Sequence, residues 1–149
     1  MKKRVVFNNN ELEYLSKASS EMKALIDLIG EVETYYIPDP FTSLVSQIVY
    51  QFISFKAATV IWERLYETFQ PLTPKKILEM DFEVLKSIGL SNSKTQYILN
   101  IAHAFYNKTI NTDFDSMTDE DVIKEVTKIK GIGLWTAQMF LIFCLRRSN

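Results

Sequence analysis

Ile129-Lys130-Gly131-Ile132-Gly133-Leu134-Trp135-Thr136-Ala137 decides how this chain is read. Upstream, Thr118-Asp119-Glu120-Asp121 has the form of a helix start, with Thr118 as cap and Asp121 reaching back three residues later. Val122, Ile123, Val126 and Ile129 then fall on one helix face. Two glycines one residue apart interrupt that helix, and a second begins at Leu134. Glycine tolerates positive φ and lets other groups approach the backbone closely. The pattern predicts helix, tight Gly-Ile-Gly hairpin and helix over 118–145, with free N–H groups at the second helix start. Such groups suit an anion, phosphate above all. The plainer alternative is that Gly131 simply ends a helix.

Working outward, the segments before the hairpin read as amphipathic helices. Asp39-Pro40 is a start signal, since aspartate caps and proline fits the first helical position. Phe41, Leu44, Val45, Ile48, Val49 and Phe52 repeat at helical spacing. Ser54 has the form of a cap, and Ala58, Ile61, Trp62, Leu65, Tyr66 and Phe69 repeat the same spacing. Thr73 and Asp81 are caps for two short helices, and Gly89 ends the second. A longer helix runs to about Asn107, with Tyr97, Ile98, Ile101, Ala102 and Phe105 inward. Residues 21–29 form another, with Met22, Leu25, Ile26 and Ile29 on one face. Residues 1–20 are an N-terminal arm, or a strand-like piece at Val5-Val6-Phe7. The expected class is all-α, with about seven to eight helices and short loops. The turn at Lys86–Ser91 faintly echoes the one at Lys128–Gly133.

At 149 residues the chain is one small domain or part of a larger one. Seventeen basic and 18 acidic residues leave a net charge of −1, so any nucleic-acid contact has to be local. Lys124, Lys128, Lys130, Arg146 and Arg147 cluster near the hairpin, and most are expected on solvated faces. A single cysteine, Cys144, excludes an internal disulfide and a cysteine-cluster metal site, and its apolar neighbours predict a buried thiol. His103 is the only histidine and is read as a surface or hydrogen-bonded residue. No membrane span or signal peptide is visible, so a cytoplasmic protein is expected.

The run Lys130–Phe140 resembles the helix-hairpin-helix motif of base-excision DNA glycosylases, and its Gly-Ile-Gly-x-Trp-Thr-Ala form resembles the DNA-3-methyladenine glycosylase II type. Ile48–Ala58 is similar to the family segment Ile-x-Ser-Gln-Gln-x-Ser-x-Lys-Ala-Ala; Gln51, Ser54, Lys56, Ala57 and Ala58 match, and Tyr50 and Phe52 depart. Leu85–Ser91, with Lys94 and Tyr97, resembles a third. The resemblance implies a multi-helix orthogonal bundle of the glycosylase type, lacking the final helices, with residues 1–149 a single incomplete domain.

It also implies duplex DNA carrying alkylated bases as partner. One nucleotide leaves the stack, and the N-glycosidic bond of an alkylated purine such as 3-methyladenine is hydrolysed. Such a base is already cationic and leaves readily, so stabilising an oxocarbenium-like sugar and activating water suffice. Carried over residue by residue, Gly131, Ile132, Gly133, Lys130 and Thr136 hold phosphate. A monovalent cation is shared at Gly131–Gly133, and no other cofactor is implied. Trp135 is the pocket aromatic, stacking on an electron-poor base. Met139 follows one turn later, where some members carry another aromatic. Gln51 and Phe52 lie where members push a side chain into the gap left by the base. Phe52 also continues an apolar stripe, and core packing is the favoured expectation for it. The catalytic aspartate would lie beyond Asn149, since no residue after Gly133 is Asp or Glu. This chain alone is therefore expected to be inactive or nearly so. The alternatives are a non-catalytic DNA-binding remnant and a self-associating interaction module exposing an apolar face.

Overall fold

The computed structural model describes residues 3–6, 9–30 and 33–147. Their contacts divide the chain into two compact units, Met1–Ile37 and Pro38–Asn149. The first holds strand β1 (Lys3–Val6), helices α1 (Asn9–Ala18) and α2 (Ser20–Ile29), and strand β2 (Glu33–Tyr36). The strands pair antiparallel, with Lys3 opposite Tyr36 and Val6 opposite Glu33. The strand-like reading of Val5-Val6 is thus met, while Phe7 lies outside the described residues. The remainder of the expected arm is helix α1, which a Glu13–Lys17 pair at 2.7 Å bridges across one turn. Ser19 caps α2 through the Met22 N–H, but the expected inward face of α2 has no buried residue.

The second unit is helical throughout. It contains α3 (Pro40–Tyr50), α4 (Phe55–Thr68), α5 (Pro74–Leu78), α6 (Phe82–Ser87), α7 (Asn92–Tyr106), a 3₁₀ turn (Phe114–Ser116), α8 (Asp119–Thr127), α9 (Leu134–Phe140) and a π turn (Leu141–Leu145). The caps read from sequence are in place at Asp39, Ser54, Thr73 and Thr118, each accepting from an N–H three residues on. Asp81 precedes α6 as expected but makes no side-chain cap bond. At Thr118 the box is modified, because Asp121 accepts from the threonine hydroxyl at 3.0 Å.

α3 is the hub, packing against α4, α7 and α9. Phe41, Leu44, Val45, Ile48 and Val49 are buried, and so are Thr42, Ser43 and Ser46 on its other sides. A helix buried all round is a central one, and small hydroxyl side chains let neighbours come close. Gln47, with its amide nitrogen facing α9, donates to the Thr136 carbonyl at 2.8 Å and accepts from the Phe140 N–H at 3.2 Å. A side chain entering the i→i−4 ladder loosens a helix, and the π turn follows directly. Cys144 in that turn is buried as expected, its thiol 3.8 Å from the Pro38 carbonyl. His103 is exposed.

Candidate nucleic-acid interface

Helix α8 ends at Thr127, and the chain reverses through Ile129–Gly133 before α9. Two bonds fix the hairpin: the Ile132 N–H donates to the Ile129 carbonyl at 3.0 Å, and the Asn100 amide of α7 donates to the Lys130 carbonyl at 3.0 Å. The two glycines play different parts. Gly131 has φ +111, and a Cβ there would sit 2.3 Å from Cγ of Tyr97. Its lack of a side chain lets the tyrosine ring press against the backbone. Gly133 has φ −95, which any residue adopts, and a Cβ there would meet nothing within 4 Å. Gly133 therefore leaves space on the outside. The first bond inside α9 runs from the Ala137 N–H to the Gly133 carbonyl, at 3.0 Å. The N–H groups of Leu134, Trp135 and Thr136 precede it and have no partner along the helix.

Beside this hairpin lies a cleft of about 500 Å³. Gly131, Gly133, Trp135 and Thr136 form one wall, and Gln51, Phe52, Tyr50 and Tyr97 form the others. Trp135 is 64% exposed. Phe52 is 100% exposed at φ +54, because α3 stops at Tyr50 and the stripe it would continue ends there. The expectation of core packing for Phe52 is overturned. A second cleft of about 430 Å³ shares Gln51, Phe52 and Tyr97 with the first, and Lys94 lines it. The Lys94 ammonium donates to the Val49 carbonyl at 2.8 Å, closing the last turn of α3, and burial lowers its pKa.

The other site residues divide. Thr136 is only 3% exposed, and its hydroxyl oxygen accepts from the Gln51 amide at 3.0 Å, so burial, not that bond, limits its reach toward a phosphate. Ile132 is buried with its N–H spent inside the turn, so it shapes the hairpin instead of offering a donor. Lys130 is exposed, whereas Lys124, Lys128 and Arg147 pair with Asp121, Glu125 and Asp119. The Lys128 hydrogen bond, more than any other contact, holds the Glu125 carboxyl below its ordinary value. Met139, expected in the base pocket with Trp135, is half-buried and does not line the cleft, whose other aromatic walls are Tyr50 and Tyr97. Both lie in the quoted family segments, and their position there was the available signal.

Residues 45–139 match the family model described as the HhH-GPD superfamily base excision DNA repair protein. The chain is 32% identical over 144 residues to DNA-3-methyladenine glycosylase 1 of Schizosaccharomyces pombe, covering 91% of this chain and 63% of that relative. A solved DNA-3-methyladenine glycosidase from Bacillus halodurans superposes with a TM-score of 0.76 at 32% identity, covering 97% of this chain and 68% of the other. The S. pombe 3-methyladenine DNA glycosylase, solved in complex with abasic DNA, gives 0.78 at 30% identity, covering 95% and 72%. No helix among the described residues is long and apolar enough to cross a membrane.

Proposed function

The chain belongs to the HhH-GPD superfamily of base excision DNA repair proteins, and on that premise we propose that it grips duplex DNA at the Gly131–Gly133 hairpin and takes one extruded alkylated purine beside Trp135. The observation that carries this reading is the convergence on one cleft of the exposed Phe52 ring with two neighbouring features of the hairpin far along the chain, the open backbone at Gly133 and the exposed Trp135 ring. Phosphate meets the amides that open α9, with the exposed Lys130 adding charge from the hairpin itself. Phe52 enters the stack as the base leaves, and unstacking costs least for a damaged base. Trp135, Tyr50 and Tyr97 offer π-faces to a cationic ring.

The reaction served is hydrolysis of the N-glycosidic bond of the alkylated purine. Among the described residues lining the cleft none is Asp or Glu, so this chain alone is expected to release base only at trace level. Carbonyl oxygens of the hairpin would hold a monovalent cation there. Those of Ile129 and Lys130 each already accept one hydrogen bond and keep a second lone pair.

Fluorescence polarisation with a labelled duplex containing an abasic analogue tests the binding, and chromatography of bases freed from methylated DNA tests the chemistry. Binding weakened by salt is expected, with no more than a trace of 3-methyladenine. Absence of duplex binding at low salt removes the reading, and robust release shows that a different carboxylate serves. The self-associating alternative draws on Ile142 and Phe143, 47% and 42% exposed; a dimer that ignores DNA favours it.

A further inference from the structure

The turn between α3 and α4 is tied down on several sides. Lys94 holds the Val49 carbonyl at 2.8 Å, and the Tyr50 hydroxyl meets Thr59 Oγ1 at 3.2 Å. The Ser54 hydroxyl accepts from the Ala57 N–H at 3.3 Å. These bonds attach the turn to α3, α4 and α7. One bond differs in kind. The Gln51 amide donates to Thr136 Oγ1 at 3.0 Å, joining the turn to the hairpin helix α9 across 85 residues of sequence. Gln51 immediately precedes Phe52, and Thr136 immediately follows Trp135. The bond therefore spans the cleft wall between the exposed phenyl ring and the hairpin, with the buried threonine as its fixed end.

We propose that Gln51 and Thr136 are positioning residues: their hydrogen bond latches the Phe52 turn to the helix that meets phosphate, so that seating the backbone on the hairpin also sets the depth and direction of the phenyl ring. This rests on the base-extrusion reading above. Gln51 is on this view not itself a wedge. A ring held in register beforehand loses less freedom on entering the stack, which is where the latch acts.

The test uses a duplex with a mispaired 2-aminopurine, whose fluorescence rises on leaving the stack. Thr136→Val removes the hydroxyl at nearly constant shape, Gln51→Leu removes the amide from the other side, and Thr136→Ser keeps the bond. Extrusion is expected to fall about two- to tenfold in Thr136→Val and Gln51→Leu, the range for one net hydrogen bond. It recovers in Thr136→Ser. In a Phe52→Ala background, Thr136→Val is expected to add nothing, since the latch acts only through the ring. Wild-type extrusion in Thr136→Val and Gln51→Leu, with Phe52→Ala impaired, overturns the latch and leaves the extrusion reading standing. A full further loss in the double variant also overturns it, because the effect then bypasses Phe52. If the wild-type chain binds duplex but never brightens the probe, the extrusion reading falls and takes the latch with it.

Discussion

Substituting the two hairpin glycines separates packing from recognition. In Gly131→Ala the new methyl carbon lies 2.3 Å from Tyr97 Cγ and 2.6 Å from Cδ1. Reaching ordinary contact at about 3.5 Å requires the ring to retreat by about an ångström. The tyrosine Cβ is itself within 2.7 Å, so rotating the ring does not suffice and α7 has to move. Overpacking of this kind costs about 1–3 kcal/mol. A non-glycine residue at φ +111 adds about 1–3 kcal/mol. Taking the middle of the sum, about 4 kcal/mol, and about 2–4 °C per kcal/mol for this size, the melting temperature drops by roughly 10 °C. At Gly133 a Cβ would meet nothing within 4 Å and the backbone is in an allowed region, so Gly133→Val is expected to cost no more than about 1 kcal/mol. Its side chain nevertheless occupies the space a phosphate needs. Thermal unfolding by circular dichroism and duplex binding by polarisation, run side by side, are the assays. Gly133→Val is expected to melt near wild type and bind duplex at least about tenfold more weakly, or 1.4 kcal/mol. A Gly133→Val protein that binds like wild type refutes contact between these amides and the backbone. A Gly131→Ala protein that melts within 2 °C or so of wild type refutes the Tyr97 contact.

Phe52→Gly should leave stability within about 1 kcal/mol, since glycine relieves the positive φ, whereas a core phenylalanine would cost about 3–5 kcal/mol; chemical denaturation decides. Trp135→Ala should melt like wild type yet lose about 1–3 kcal/mol of affinity for a duplex with an extruded base, measured against an intact duplex of the same length. Burial pushes the Cys144 thiol up to about 12 from its ordinary 9.0, so it should resist thiol reagents at pH 8 until the fold opens. Above pH 9 the unfolded thiol ionises while the folded one stays neutral, so stability should fall from there toward pH 12, and less steeply in Cys144→Ala by urea titration. Plotting log affinity against log salt should give a shallow slope, about −1 to −3, because few cations around the hairpin are free.

Most of the helical architecture was legible because it depends on local signals. Asp39, Ser54, Thr73 and Thr118 cap where their residue types predict, and the spacing of Leu44, Val45, Ile48 and Val49 marks the buried faces of α3. Phe52 was misjudged for a definite reason. The apolar spacing continues through it, and no glycine or proline marks the helix end. What ends α3 is tertiary: Lys94 takes the Val49 carbonyl and Thr136 holds Gln51, from 45 and 85 residues away. The division of labour between Gly131 and Gly133 was hidden likewise, since it depends on Tyr97 arriving from α7. Helix α1 escaped notice because its sequence is polar on average, with few apolar positions to mark a face. The four-residue strands β1 and β2 are too short for alternation to stand out. The hairpin itself was legible, since its motif consists of contiguous residues.

The charge pattern and the hairpin geometry point to one mode of recognition. Lys124, Lys128 and Arg147 lie close in sequence to the hairpin, yet each has an acidic partner within 3.4 Å, and Arg147 also donates to the Phe114 and Met117 carbonyls. Their charge serves the segment that carries α8 before it serves any ligand. What remains for a phosphate is a row of backbone dipoles held by α8, α9 and the Asn100 bond. Such dipoles do not have to be ordered on binding, and they select for distance and direction more than for total charge. A chain of net charge −1 can therefore hold a polyanion at one place without attracting it everywhere. On the proposed reading, geometry then decides which phosphate is held, and the distance from that phosphate to Phe52 sets which nucleotide leaves the stack.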